Sequence, residues 1–461
     1  MTKFELRGCS FIIAIAMLFF VLPMSIVNAQ TKTLSDAILK TNAVTSMESN
    51  GKLSLIFKAQ GLSKQDQEEF GMISDMLNNL QIIFNAKKSG NSDGTISKQY
   101  VKMSANVGGS PYTGELWSDI NLTGKTPIVK EIVKSPQLFE MMMSPEDINK
   151  YMLIDLNEMN KTPEMQSELG NIDFGKMLSE NKELQELIIT LFQKYAAQLG
   201  TDYNFISVNG NQYRVKIDDA QFKNLIREVV NLTAKNEEIQ NLIKDLMITE
   251  MKNSGASTVE INTSKADIDH MFTTLESQGF LDGFNQMIDK LKDVKILGDK
   301  GIDLTYTIDE NGYVIGTKSD IQFVLDMAKL NKAFSASASK NAVDTATEIM
   351  PTGTYTVGIH YEVNNSNING NVDIIIPTLT SANSFSYANM FEEQTNYPID
   401  GAIDNNANNG SNLGSQQANV AHTVNGGQLP NTSTHLYELL LIGAALALIG
   451  ALGLKSRKHY E

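Results

Sequence analysis

Sixteen consecutive residues, Leu439 to Leu454, carry no charge. With Leu436 and Tyr437 in front, the run approaches the ~20 residues that a helix needs to span a bilayer core. In hydrocarbon every backbone group must be satisfied within the segment, so a helix is the form open to a single run of this kind. Lys455, Arg457 and Lys458 follow at once. Basic residues beside a span stay on the cytoplasmic side, so residues 455–461 are expected inside, 436–454 in the membrane, and the bulk of the chain outside. The other terminus agrees. Lys3 and Arg7 precede the apolar run Phe11 to Leu22, and Val27-Asn28-Ala29 puts small residues at −3 and −1. Residues 1–29 therefore read as a secretory signal with cleavage between Ala29 and Gln30. Leu6-Arg7-Gly8-Cys9 has the look of a lipoprotein box but lies ahead of the apolar run, so Cys9 is expected to leave with the signal.

Cys9 is the only cysteine in 461 residues, so the exported body, residues 30–395, has neither a disulfide nor a thiol nucleophile. Its stability must come from burial. A formal net charge of −15 argues against nucleic acid as a partner and against an electrostatic grip on anionic lipid or teichoic acid. At 42% hydrophobic residues the chain has enough apolar material for one large domain, or two smaller ones divided near residue 200.

Along the body, Leu53, Leu55, Phe57 and Ala59 alternate with polar residues, the pattern of a strand with one wet side. Gly61-Leu62-Ser63 caps a helix through Phe70, Ile73, Met76 and Leu77. Strands follow at residues 80–87, 96–107 and 112–122, joined by Gly/Asn/Ser-rich hairpin connections, then at 128–133 and 151–156. The middle turns helical. Leu184, Leu187, Ile188, Leu191, Phe192, Tyr195 and Leu199 form one stripe. After a hairpin through Asn209-Gly210-Asn211, Asp218 or Asp219 caps a long helical region that breaks near Asn236, and two more helices cover 268–275 and 284–291. Strands return at 302–308 and 313–321 around Asp309-Glu310-Asn311-Gly312, and 355–363 is expected to pair with 369–376, ending at Pro377. This order predicts an α+β domain with an antiparallel sheet of long hairpins covered by amphipathic helices. Residues 396–428 are Asn, Gly, Ser and Gln with few apolar side chains, a flexible stalk.

Leu429-Pro430-Asn431-Thr432-Ser433, followed by the apolar run and the basic tail, resembles the cell-wall sorting signal of Gram-positive surface proteins. The resemblance implies that a membrane-bound sortase attacks the Thr432 carbonyl with its own cysteine and passes the acyl end to a cell-wall peptide amine, so the membrane helix is an intermediate before processing. Pro430 fixes φ and biases Leu429 toward an extended form, which suits a transpeptidase substrate. Ser433 stands where the family usually has glycine. A plain membrane helix with a coincidental pentapeptide would leave the same topology, and a glycolipid-anchor signal would lack the basic stub. The hairpins with covering helices, and the Leu304 to Val324 pattern of strand, Asp-Glu-Asn-Gly, strand, look like the bacterial lipoprotein-carrier superfamily. That likeness implies a curved, open sheet closed by helices around a lipid or another apolar ligand.

No catalytic cluster stands out. Gly90-Asn91-Ser92-Asp93-Gly94 matches a serine-hydrolase elbow, but it lies between two strands and reads as a hairpin turn. His270 sits on a helix beside Asp267 and Asp269, and with His360 and His422 it does not make the spacing of a zinc site. Asp404, Asn406 and Asn408 mimic a calcium loop without its turn glycine or its bidentate Glu. Glu68 with Glu69, and Glu237 with Glu238, read as wet helix faces. Met141-Met142-Met143 and Trp117 read as packing residues. No cofactor is expected. The expected function is therefore that of a non-catalytic, wall-anchored surface protein whose body binds an apolar or amphiphilic ligand. The alternatives are an adhesin or structural spacer, and behind them an extracellular hydrolase.

Overall fold

The computed structural model describes residues 29–387 apart from 108–109, 125–126, 137–144, 160–183, 185, 189, 192, 196, 200–204, 254–255 and 336–352. All but the last residue of the expected signal sequence, the expected stalk, the sorting pentapeptide, the apolar run and the basic tail lie outside the described residues. Among the described residues no helix is long and apolar enough to cross a membrane.

One sheet holds twelve strands: β1 (Ser46–Gln60), β2 (Gln81–Gly90), β3 (Ile96–Val107), β4 (Ser110–Asn121), β5 (Ile128–Lys134), β6 (Tyr151–Asp155), β7 (Ile206–Asn209), β8 (Gln212–Ile217), β9 (Leu297–Ile308), β10 (Val314–Asp326), β11 (Thr354–Ser366) and β12 (Ser384–Ser386). Their spatial order is β12-β6-β5-β4-β3-β2-β1-β11-β10-β9-β8-β7. Two meanders compose it. The first runs outward from the centre, β1 to β6. The second begins at the far edge with β7 and returns to the centre with β11, which pairs with β1 over thirteen consecutive residues, Glu48↔Ser366 to Gln60↔Thr354. Neighbours are antiparallel except β12, which lies parallel to β6. Strands of 10 to 15 residues fill the middle, whereas the outermost strands, β7 and β12, have only four and three, which leaves little free edge for pairing with another chain.

The helices are α1 (Ala29–Asn42), α2 (Lys64–Asn78), the single turn α3 (Leu156–Met159), α4 (Asp219–Lys235), α5 (Glu237–Asn253), α6 (Thr258–Glu276), α7 (Gln278–Lys290) and α8 (Met327–Ser335), with further helical residues between 184 and 199. Asp218 starts α4 with a reciprocal cap: its Oδ1 accepts from Gln221 N and Gln221 Oε1 accepts from Asp218 N, both at 2.9 Å. Phe222, Leu225, Val229 and Val230 of α4 then face Leu281, Phe284 and Ile288 of α7 and Ile217, Ile302 and Leu304 of the sheet in one core. Asp219 ties that helix to the start of β9. Its Oδ1 accepts from the backbone N–H groups of Ile296 and Leu297 at 2.7 and 2.8 Å, while Lys223 Nζ donates to Oδ2 at 2.6 Å. Burial pulls the Asp219 carboxyl upward, but Lys223 and those two amides outweigh it and hold the group below the usual carboxylate range.

Side chains alternate between the two faces of a strand, so the register sorts them. One face is apolar across nearly the whole sheet: Ile206 and Val208, Val215 and Ile217, Ile302 and Leu304, Ile321 and Phe323, Ile359 and Tyr361, Leu53 and Leu55, Ile82 and Phe84, Val101 and Met103, Leu116, Val133, Met152. Gly51 belongs to this face, opposite Phe84, and the absence of a side chain lets the Phe84 ring lie over its backbone.

The structure corrects one expected pairing. Residues 369–376 form no strand and do not pair with 355–363. Both edges of β11 are already taken, by β1 on one side and β10 on the other, so no ladder is open to a returning strand. Asn367 and Asn369 adopt positive φ values of 51° and 55° and turn the chain out of the sheet plane. Residues 371–380 then cross the other face, where Val372 and Ile374 bury against Trp117 and Ile132, with Tyr100, Tyr151, Leu153, Ile376 and Leu379 around them. Trp117 packs as expected, its ring centroid 5.2 Å from that of Tyr100 and 5.8 Å from that of Tyr151.

Candidate functional site

The apolar face is not buried evenly. Over β7 to β10 it lies under α1 and α4 to α7, and Leu297 and Ile302 there are fully buried. Over β1, helix α2 supplies Phe70, whose ring lies 4.7 Å from Phe57 and 5.8 Å from Tyr355. Further out, Met103, Tyr112, Leu116, Val133, Met152 and Ile154 of β3 to β6 are half-buried, and Val357 on β11 is 40% exposed. This part of the face is more open than a core requires. It is also continuous with one, through Phe84 and Val101.

A polar row crosses this apolar surface. The register places Lys88 of β2 opposite Gln99 of β3, Gln99 opposite Ser118 of β4, and Ser118 opposite Glu131 of β5, all four on the apolar face. Met47 and Ile154 close the row at its two ends. Lys88 as a residue is only 7% exposed. Burial alone pulls its pKa down to about 8. Burial likewise pushes the Glu131 carboxyl up from its ordinary value. The two groups do not neutralise each other: their backbones stand three strand spacings apart, ~14 Å at ~4.8 Å per strand. Gln99 and Ser118 fill the interval with an amide and a hydroxyl, each able to donate and accept.

From β1 across β11, β10 and β9 to β8 the opposite face is wet and laddered with charge. Lys52 and Lys318 flank Glu362 at 3.3 and 3.8 Å. One row on, Asp320 Oδ1 meets Lys300 Nζ at 2.9 Å and His360 Nδ1 at 3.1 Å. Arg214 Nε donates to Asp303 Oδ1 at 2.7 Å and its Nη2 donates to Oδ2. Burial tends to raise the Asp320 carboxyl, but Lys300 and His360 outweigh this and hold it below the carboxylate range. Such alternation solvates the face and pins the register of β1, β11, β10 and β9.

The residues singled out in the sequence separate widely. Ala29 and Gln30 open α1. Leu429, Pro430, Asn431, Thr432 and Ser433 lie outside the described residues, as do His422, Asp404, Asn406, Asn408 and Met141 to Met143. Ser92 lies in the turn between β2 and β3, closed by Asn91 N–H to the Ile96 carbonyl at 3.0 Å, so the elbow-like pentapeptide is a hairpin turn. His270 is exposed on α6 and His360 is on the wet face of β11, so the two are not brought together. Glu68 is exposed on α2, and Glu237 and Glu238 stand in the first turn of α5, where Glu238 pairs with Lys194 at 2.5 Å. Among the described residues no three of His, Cys, Asp and Glu gather as a metal site. The Lys88 row was not read from the sequence.

Comparison with known families bears on the C-terminal segment. A family model described as the LPXTG cell wall anchor motif matches residues 421–459, which span the pentapeptide, the apolar run and the basic tail. Ser433 takes the place of the motif's glycine. No curated protein and no solved structure matches the chain, so the likeness to lipoprotein carriers gains no support from that side. The chain is an exported surface protein that sortase processes and that is attached to the cell wall of a Gram-positive bacterium.

Proposed function

We propose that the body is a non-catalytic binding module that holds an apolar or amphiphilic molecule against the apolar face of its sheet, presented at the wall by its C-terminal anchor. The observation that supports this is the half-buried stretch Met103, Tyr112, Leu116, Val133 and Met152, which continues a core surface beyond the helices that bury its other half. Apolar surface left partly wet is unfavourable by ~25 cal/mol per Å², so a hydrocarbon chain laid along it gains what water cannot supply. Methionines at two of these positions suit a guest of irregular shape.

In this reading sortase recognises Leu429 to Ser433. Its thiolate attacks the Thr432 carbonyl carbon, the Thr432–Ser433 bond breaks, and a wall peptide amine takes the acyl group. The body itself performs no chemistry. The test of the binding role uses protein released from purified walls by muralytic digestion and analysed by mass spectrometry after solvent extraction. A co-purifying amphiphile, or saturable binding of added diacylglycerol, is the expected result. A body that carries none and binds none would overturn the reading, and host-matrix binding under those conditions would make it an adhesin.

A further inference from the structure

We infer that residues 370–387 form a tension-released strap: load entering through the wall anchor peels this segment off while the ladders on both sides of β11 stay closed, and the release uncovers a row of aromatic rings. The chain leaves the centre of the sheet at Ser366 and continues from there toward its anchored end. A clamp holds it first at the start of β1. Asn369 N donates to the Ser46 carbonyl at 2.8 Å, Asn369 Oδ1 accepts from Thr45 N at 3.1 Å, and Ser46 Oγ donates to the Gly370 carbonyl at 2.7 Å. Beyond the clamp the segment crosses the outward-running meander and joins its edge as β12. Among the described residues no backbone–backbone hydrogen bond ties 371–379 to the strands beneath. Val372 and Ile374, buried on Trp117 and Ile132, hold it there, while Ile375 between them and Ile376 is 78% exposed. At the far end β12 pairs with β6 over three residues, Ser384↔Tyr151 to Ser386↔Leu153, flanked by Tyr151 N–H to the Asn383 carbonyl and Tyr387 N–H to the Leu153 carbonyl, both at 2.8 Å.

Because the chain is attached to the wall through its C-terminal end, a pull between wall and body reaches β12 before any other strand. The contacts of β12, then Ile374, then Val372, take the load one after another. An element with so few buried apolar contacts opens locally at small cost. β11, in contrast, is paired over thirteen residues with β1 and eleven with β10, and bonds that share a load yield at a higher force than bonds met singly. Peeling therefore stops at the Asn369 clamp. Residues 370–387 extend to ~60 Å at ~3.4 Å per residue, whereas the folded strap spans six strand spacings, ~29 Å, so release lengthens the chain by ~30 Å. The face uncovered carries Trp117 with Tyr100 on one side and Tyr151 on the other, three rings in line at centroid separations of 5.2 and 5.8 Å.

The experiment stretches wall-released protein between its N-terminus and the wall peptide left on Thr432. A reversible step of ~30 Å is expected before the sheet unfolds. Ser386→Cys combined with Leu153→Cys sets a cysteine pair across β12 and β6 in an exported body that has no other cysteine. Oxidation of that pair is expected to abolish the step, and reductant to restore it. Trp117 is the only tryptophan in the chain, so its emission reports the strap without load. Val372→Ser combined with Ile374→Ser is expected to raise acrylamide quenching of Trp117 at least threefold while the far-ultraviolet thermal transition stays cooperative. A parent with no step before the sheet unfolds, an oxidised cysteine pair that removes no step, or unchanged Trp117 quenching in the serine variant would each overturn the strap. So would loss of the thermal transition in the serine variant, which would make the segment part of the core. No ligand enters these measurements, so they stand apart from the test of the binding role.

Discussion

Replacing Lys88 by methionine is expected to stabilise the ligand-free protein. The side chains are similar in length, and the site is built of Met47, Ala86 and other apolar neighbours, so the thioether would fit the space and leave no charge there. Burial lowers the lysine from 10.5 to about 8. At 1.36 kcal/mol per pKa unit the protonated side chain destabilises the folded state by ~3 kcal/mol. The direction follows from linkage. A folded-state pKa below the unfolded one means that the unfolded chain holds the proton more tightly, so the penalty is fully present below pH ~8 and fades as pH rises toward 10.5. Urea denaturation of parent and variant, run at several pH values, should therefore give a difference of ~3 kcal/mol near pH 6.5 and ~2 kcal/mol near pH 9. The curves should nearly meet above pH 10.5. A variant less stable than the parent at neutral pH would refute the reasoning, and so would a difference that does not change with pH, because either would mean that the ammonium is satisfied.

Four other outcomes follow from the same structure. Gly51→Ala would place a methyl 2.5 Å from the Glu362 carbonyl oxygen and 2.6 Å from Phe84 Cζ, and should lower stability by ~1–3 kcal/mol in urea melts. Asp219→Ala leaves two backbone amides without their acceptor and the buried Lys223 with only the Lys292 carbonyl at 3.3 Å, and should cost ~2–4 kcal/mol. Because the Asp219 carboxyl is depressed in the folded state, its contribution is present above the ordinary aspartate range and lost as pH falls through the folded value, so the variant and parent curves should converge in acid. Ser319, fully buried between Leu304 and Tyr361 with an Oγ that finds no partner among the described residues, should accept alanine at no loss and a gain of up to ~1 kcal/mol by calorimetry. Thr432→Ala should remain with the membrane fraction and be missing from detergent-stripped walls, as read by immunoblot.

Local signals carried much of the fold. Asn209-Gly210-Asn211 and Asp309 to Gly312 turned where turn chemistry required, with Gly210 at φ 61° and Gly312 at φ 80°. Asp218 and Ser63 began helices as caps. The central pairing was not legible. β1 and β11 lie some three hundred residues apart in the chain and meet in the middle of the sheet, and nothing in either strand's alternation names the other as its neighbour. The expectation that 355–363 would pair with the next extended segment applied the local rule where a long-range one prevailed. Once β1 occupied that edge, Val372 and Ile374 had to find an apolar surface elsewhere, and Trp117 and Ile132 supplied it on the far side.

The polar row hid for a different reason. A lysine at the end of a strand, as in Ile82-Ile83-Phe84-Asn85-Ala86-Lys87-Lys88, ordinarily carries its charge to water, and two adjacent lysines invite the reading that both do. Parity separates them. Counting by twos from Ile82 through Phe84 and Ala86 reaches Lys88 on the apolar face, while Lys87 falls on the wet face within 3.7 Å of Glu48. The hairpin turn at Asn91 to Thr95 then fixes Gln99 opposite Lys88, and each further antiparallel step carries the row onward to Ser118 and Glu131. A chain without disulfides in its exported body relies on burial for its stability, and a desolvated lysine in that setting is a standing loss. The residues that give this up lie on the outward-running meander, whereas the helices α4 to α7 and their fully buried core stand on the other one. The thirteen-residue ladder between β1 and β11 joins the two, so the half that keeps the unfavourable charge is held in register by the half that does not need it.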